Sequence, residues 1–187
     1  MAKEISAGII IYRQTIDGLK FLILYHGRDY WNFPKGKIEH AKSAPSPKSF
    51  GNANAPMRIT KESSFQAAVR EIKEETGLNR ADLKFANNFK AHERFSFWRR
   101  VGEKNAKIFK IVIFYLAETK KREIKISEEH GGYGWFTYKE AMKILGKHKE
   151  SQRILTQAND FLRQTQDKFL HGQSFSRPKN AERKTGG

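Results

Sequence analysis

Apolar positions fall in short runs of two periodicities. Ile5–Arg13 and Leu19–His26 are β-branched and aliphatic runs that read as strands, and Asp17-Gly18 between them is a hairpin signal. A further strand is expected near Leu83–Ala91. The run Ile108–Ala117, IFKIVIFYLA, is long enough for a central strand, and Gly134–Thr137 reads as a short one. Helical spacing takes over in Glu62–Leu78, in Tyr138–Leu145 and from about Glu150 to Phe169. In the last of these Ile154, Leu155, Ala158, Phe161, Leu162 and Phe169 share a face. Strands first, then strands mixed with helices, point to an α/β (α+β) fold: a mixed β-sheet covered by helices rather than a doubly wound parallel sheet.

Length places this pattern in one domain, because 187 residues are ample for a single core. Two stretches do not join it. His40–Lys61 has three prolines, four basic residues and no acid, and its small polar composition cannot bury enough apolar surface to offset ordering. The tail 168–187 is similarly basic, so the expectation is a domain over 1–167 with a flexible insertion at 40–61, then a disordered tail. The absence of cysteine excludes disulfides, thiolate metal sites and a thiol nucleophile. No stretch approaches the roughly 20 apolar residues of a membrane span, and the expectation is a cytoplasmic monomer. The net charge of +16, from 36 basic and 20 acidic residues, favours polyanionic partners.

The acidic minority carries the chemistry. Ser63 can cap a helix, Gln66 completes a capping box and Gly77 supplies the stop, so a helix is expected over about Ser64–Thr76. Phe65, Ala68, Val69, Ile72 and Thr76 form its expected core stripe. Beside them Glu71, Glu74 and Glu75, spaced i, i+3, i+4, converge on one flank. Neither Glu71 nor Glu74 has a Lys or Arg four residues on to offset the repulsion. Grouped oxygen ligands suit a hard divalent ion such as Mg²⁺ or Mn²⁺; a solvated acidic face is the alternative.

Upstream lies Trp31-Asn32-Phe33-Pro34-Lys35-Gly36-Lys37-Ile38-Glu39. With Glu62 and Arg70-Glu71-Ile72-Lys73-Glu74-Glu75-Thr76-Gly77-Leu78, it resembles the Nudix box, G-x5-E-x7-R-E-U-x-E-E-x-G-U with U aliphatic. Every fixed position from Glu62 to Leu78 matches. The departure is that 25 residues, not five, separate Gly36 from Glu62. The extra twenty coincide with the basic stretch, and a longer surface loop costs little because closure entropy grows only logarithmically with length.

The resemblance implies a Nudix hydrolase whose loop–helix–loop holds divalent cations. Glu71 and Glu75 would be the principal metal ligands, with Glu74 and the carbonyl of Gly36 as further ones. Arg70 would orient Glu71, and Glu62 would brace the loop. SAGIIIYR, FPKGKIE, KIVIFYLAE and Ser127-Glu128-Glu129-His130 with Tyr133 and Trp135 are similar to the asymmetrical diadenosine tetraphosphate hydrolase branch. By that likeness Glu129 is a metal ligand or the general base, with Glu71 the rival base. Lys35, Lys37 and Lys110 are candidates for the polyphosphate. Tyr133, Phe95 and Phe97 are candidates for stacking a nucleobase, and His92, His130 and Trp31 for lining the cleft. The activity implied is metal-dependent hydrolysis of dinucleoside polyphosphates. The alternatives are an RNA 5′-pyrophosphohydrolase, whose RNA the basic insert and tail would contact, sanitation of oxidised nucleoside triphosphates, and a non-catalytic RNA- or polyanion-binding module.

Overall fold

A computed structural model describes residues 2–42 and 59–172. Most of the insertion, 43–58, and the tail from 173 lie outside the described residues. Among the described residues ten strands and three α-helices follow one another: β1 (Ala2–Thr15), β2 (Gly18–Tyr25), β3 (Trp31–Asn32), β4 (Lys35–Lys37), β5 (His40–Lys42), β6 (Ile59–Lys61), α1 (Ser64–Thr76), β7 (Leu83–Phe85), β8 (Ala91–Val101), β9 (Lys104–Thr119), β10 (Gly132–Thr137), α2 (Tyr138–Ile144) and α3 (Lys149–Gly172).

The sheet is mixed. Its main path runs β10-β2-β1-β9-β7, with β3 on β2, β4 on β1 and β8 on β9. Only β1 and β9 run parallel among these pairs, matched from Ala2↔Ile108 to Tyr12↔Glu118. Side chains on a strand alternate between faces, and here each face is buried. Ile10, Phe21, Ile23, Val112, Phe114 and Leu116 pack against α2 and α3 through Ala141, Leu145, Ile154, Leu155, Ala158 and Leu162. Ala7, Ile9, Ile11, Leu22, Leu24 and Ala117 pack against α1 through Ala67, Ala68 and Ile72. Double coverage is why the centre of β1 is a continuous apolar run rather than an alternating one.

One edge of β1 is shared. Its end, Tyr12–Thr15, pairs with β2, while Ser6–Gly8 pairs with β4. The segment through β3 and β4 thus crosses from β2 to β1 and opens a fork in the sheet. The ends of the insertion are paired as well: His40↔Lys61 through Lys42↔Ile59 form an antiparallel stem.

Several expectations move. The β1–β2 turn has Ile16 and Asp17 at its centre, because Thr15 pairs with Gly18. The single strand expected near Leu83–Ala91 resolves into β7 and the start of β8, separated by a turn at Asn88, which has φ of 64°. β8 then pairs with β9 along its whole length, out to Val101↔Lys104. The boundary placed at 168 falls inside α3, which continues to Gly172.

Candidate active site

Helix α1 begins and ends on local signals. The Ser63 side chain accepts from the Gln66 N–H at 3.2 Å, Gln66 returns the bond to the Ser63 N–H at 3.0 Å, and Gly77 closes the helix at φ of 69°. Its buried residues are Ala67, Ala68, Ile72, Glu75 and Thr76. At about 100° per residue, Glu75 therefore sits near the middle of the buried arc, Glu71 at its rim and Glu74 beyond it. The expected stripe was rotated by about 50° from this one, and Phe65 packs instead against the rings of Phe85 and Tyr115 at 4.9 and 5.3 Å.

Strand β4 supplies the opposing wall. Alternation turns Gly36 toward α1, and Lys35 and Lys37 toward the other face. A Cβ on Gly36 would overlap the carbon and both oxygens of the Glu71 carboxyl group, so glycine is required there for close approach. The Lys35 N–H donates to Glu75 Oε2 at 2.8 Å.

Arg70 ties these parts together. Its guanidinium has five N–H donors, and it makes five bonds: two to Glu62 at 3.0 Å, one to Glu71 at 2.8 Å, one to Glu74 at 3.0 Å and one to the Lys37 carbonyl at 2.9 Å. Glu62 in turn accepts from the Glu39 N–H at 3.1 Å and donates its own N–H to the Glu39 carbonyl. The two ends of the insertion are therefore held side by side next to Arg70.

Electrostatics on this flank ask for a cation. Burial pushes the Glu75 carboxyl up to about 8, against the opposing pull of Lys35 and its backbone N–H, with Glu71 and Glu129 adding to the rise. Burial also raises Glu71, although Arg70 opposes it. Lys35 moves down, again through burial, with Glu75 and Glu93 opposing. Among the described residues, no three acidic or histidine side chains are already gathered at ligand spacing. Arg70 draws Glu71 and Glu74 to itself, while Glu75 turns to Lys35. The donor set is nonetheless all oxygen, partly buried and short of positive charge, with a glycine cradle beside it. Such a set fits a hard divalent ion.

Comparison with known proteins now decides the family, since the NUDIX domain model matches residues 3–158. The chain belongs to the NUDIX domain family. Asymmetrical bis(5′-nucleosyl)-tetraphosphatases of Sus scrofa and Rattus norvegicus are 27% and 28% identical over 167 residues, covering 84% of this chain and 94% of theirs. The crystal structure of a C. elegans Ap4A hydrolase binary complex superposes with a TM-score of 0.60 at 24% identity, over 86% of this chain and 98% of that one. The E. coli dihydroneopterin triphosphate pyrophosphohydrolase shares the fold at a TM-score of 0.53 and 18% identity, over 84% and 97%.

Around this NUDIX helix the other candidates divide. The loop Ser127–His130 is fastened to α1 by the Ser127 N–H, which donates to the Glu75 carbonyl at 3.2 Å. That bond leaves Glu129 exposed, close enough for its charge to act on Glu75. His130 is buried behind it, with Nε2 3.6 Å from Glu75 Oε1 and Nδ1 3.0 Å from Ser127 Oγ. Lys110, Phe95 and Phe97 lie on the α3 face of the sheet with Lys35 and Lys37. Tyr133 does not: it packs among the core residues of the α1 face, and its hydroxyl accepts from the Ile124 N–H at 3.2 Å. Trp31 is packed between Tyr25 and Phe136, and His92 lines a groove with Arg94, Glu150 and Arg153.

Sequence reasoning missed a neighbouring cavity of about 380 Å³, bounded by Tyr30, Asn32, Glu93, Phe95, His148 and Ser151. Glu93 is buried there and accepts from Ser151 Oγ at 2.9 Å. The available signal was an acid two residues after Ala91, at the inward phase of a strand.

Proposed function

We propose that this NUDIX protein hydrolyses phosphoanhydride bonds of dinucleoside polyphosphates of the diadenosine tetraphosphate type, with water as the nucleophile. The observation that carries this reading is the Arg70 hub: one guanidinium aligns Glu71 and Glu74, holds Glu62, and grips the β4 carbonyl beside Gly36. Glu71, Glu75 and the Gly36 carbonyl would hold a divalent ion, Mg²⁺ or Mn²⁺, with Glu74 and Glu129 at the rim. When bound, such an ion neutralises phosphate oxygens and acidifies an attacking water.

The chain's own groups do the rest. Arg70 keeps Glu71 from turning into solvent. Glu129, exposed at the mouth of the site, can accept the proton of the attacking water, and Glu71 is the competing base. Lys35 brings positive charge beside Glu75 from the opposite wall, where a polyphosphate would pass. The likeness to asymmetrical tetraphosphatases over 84% of the chain supports the substrate class.

A panel of diadenosine tetraphosphate, triphosphorylated RNA and oxidised nucleoside triphosphates, tested with Mg²⁺ and with Mn²⁺, checks the reading by product identity. The expected products are two mononucleotides from the first substrate, with activity lost in Glu71→Gln and Glu75→Gln. Faster release of pyrophosphate from RNA would replace this substrate assignment, and robust turnover by both variants would overturn the site.

A further inference from the structure

Beyond the body of the sheet β8 and β9 continue as a two-stranded ribbon, and the ribbon has a second face. Arg94 lies opposite Ile111, Ser96 opposite Phe109, Trp98 opposite Lys107 and Arg100 opposite Asn105. β1 adds Lys3 beside Phe109. Alternation turns these side chains to the α1 face, away from Lys35, Lys110 and Phe97. Helix α1 covers that face farther along, over Ile9, Ile11 and Ala117. On the ribbon it is open: Lys3, Arg94, Arg100 and Lys107 are exposed, and Trp98 keeps 69% of its surface in solvent. The positions that the three strands present here include no acid. Among the described residues none of the four cations forms a salt bridge.

One open indole ring amid four uncompensated cations suits a particular ligand. A base stacks on an aromatic ring while neighbouring cations take the phosphates on either side of it. Paired bases are already stacked on one another, so the ring selects a single strand. Ser96 and Asn105 place groups that both donate and accept hydrogen bonds between the cations, which suits a 2′-hydroxyl and favours RNA. A protein interface would need an apolar core, and a lone ring does not supply one. An anionic membrane would meet Glu103 at the ribbon tip, which has the wrong charge. From Arg94 to Arg100 the face is about 20 Å long, and across three strands it is about 10 Å wide, enough for a few nucleotides.

We propose that the α1 face of the β8–β9 ribbon is a docking surface for single-stranded RNA, with a base stacked on Trp98 and backbone phosphates held by Lys3, Arg94, Arg100 and Lys107. The assignment does not rest on the dinucleoside polyphosphate reading, because none of these residues belongs to the site around α1.

The probe is a fluorescein-labelled oligouridylate about twelve nucleotides long, titrated against the full chain by fluorescence anisotropy without divalent ions. Each phosphate contact contributes about 0.7 to the slope of log Kd against log salt. Arg100→Gln is therefore expected to lower that slope by about 0.7, and replacement of all four cations by Gln to lower it by about 2.8. Lys147→Gln makes the same single charge change in the exposed α2–α3 loop and is expected to leave the slope as it was. Trp98→Ala is expected to weaken binding about tenfold with the slope kept, and Trp98→Phe to restore most of the loss. Thermal denaturation and hydrolysis of diadenosine tetraphosphate should be unchanged in Arg100→Gln and Trp98→Ala. RNA binding that neither Trp98→Ala nor the fourfold variant weakens overturns the proposal, since the RNA then sits elsewhere on this basic chain. Equal or tighter binding of duplex RNA or of the matching oligodeoxyuridylate overturns it too, as does binding to phosphatidylserine vesicles without binding to RNA. These results stand apart from the substrate panel: RNA can dock while diadenosine tetraphosphate is not cleaved, and that substrate can be cleaved by a protein that binds no RNA.

Discussion

The contact between Gly36 and Glu71 makes a sharp test of the site, because it separates geometry from folding. In Gly36→Ala the new methyl would occupy the space of the Glu71 carboxyl group. Non-bonded carbons rest about 3.5–4 Å apart, so the carboxylate must retreat by about 1.5 Å or more. It is the far end of a flexible side chain and can do so. Gly36 is not among the glycines of positive φ, so no backbone strain is added. The direct loss is the 2.8 Å bond from Arg70, at most about 1.5–3 kcal/mol for a charge-assisted bond and less here because Arg70 is partly exposed. For a chain of this size that is a fall in Tm of only a few degrees. A displacement of about 1 Å in a catalytic group costs on the order of 100-fold in rate. The expected result is therefore a folded protein with kcat/KM reduced about 100-fold, read by steady-state kinetics beside thermal denaturation. Gly8→Ala is the contrast: its methyl would strike the Pro34 carbonyl, Lys35 Cβ at 2.7 Å and the Phe114 ring at 2.9 Å, so it should lower Tm far more. A folded Gly36→Ala protein with wild-type kcat/KM would refute the placement of Glu71.

Arg70→Lys keeps the charge but replaces a five-donor fork with a flexible ammonium. It is expected to destabilise the protein by about 2 kcal/mol in denaturant melts and to lower kcat more than it raises KM. An unchanged melt would mean that the hub is not formed in solution. His26 gives the pH test: burial, helped by Lys35 and His130, depresses it to about 3. The folded state therefore holds it neutral while the unfolded chain takes up a proton below about 6.5, so stability falls with acid at up to about 1.4 kcal/mol per pH unit between those values. His26→Gln should flatten that part of the stability profile, and an unaltered slope between pH 6 and 4 would exclude His26 as its source.

What could be read from the residues, and what could not, divides by the range of the forces involved. The limits of α1 were legible because Ser63, Gln66 and Gly77 act within a few residues of one another. The rotation of its buried face was not, because Glu75 is turned inward by the Lys35 N–H from β4 and enclosed by His130 from a loop more than fifty residues on. Neither partner leaves a mark on the helix sequence. Strand β8 escaped for a different reason. Beyond Glu93 it leaves the core as a ribbon with β9, so Phe95, Trp98 and Val101 are exposed and the apolar–polar alternation that marks a half-buried strand breaks down. The same ribbon brings Arg99 to Glu4, ninety-five residues away. A box motif lists the groups that meet the reacting phosphate. Groups that meet another partner can come from strands whose only common property is their register in one sheet.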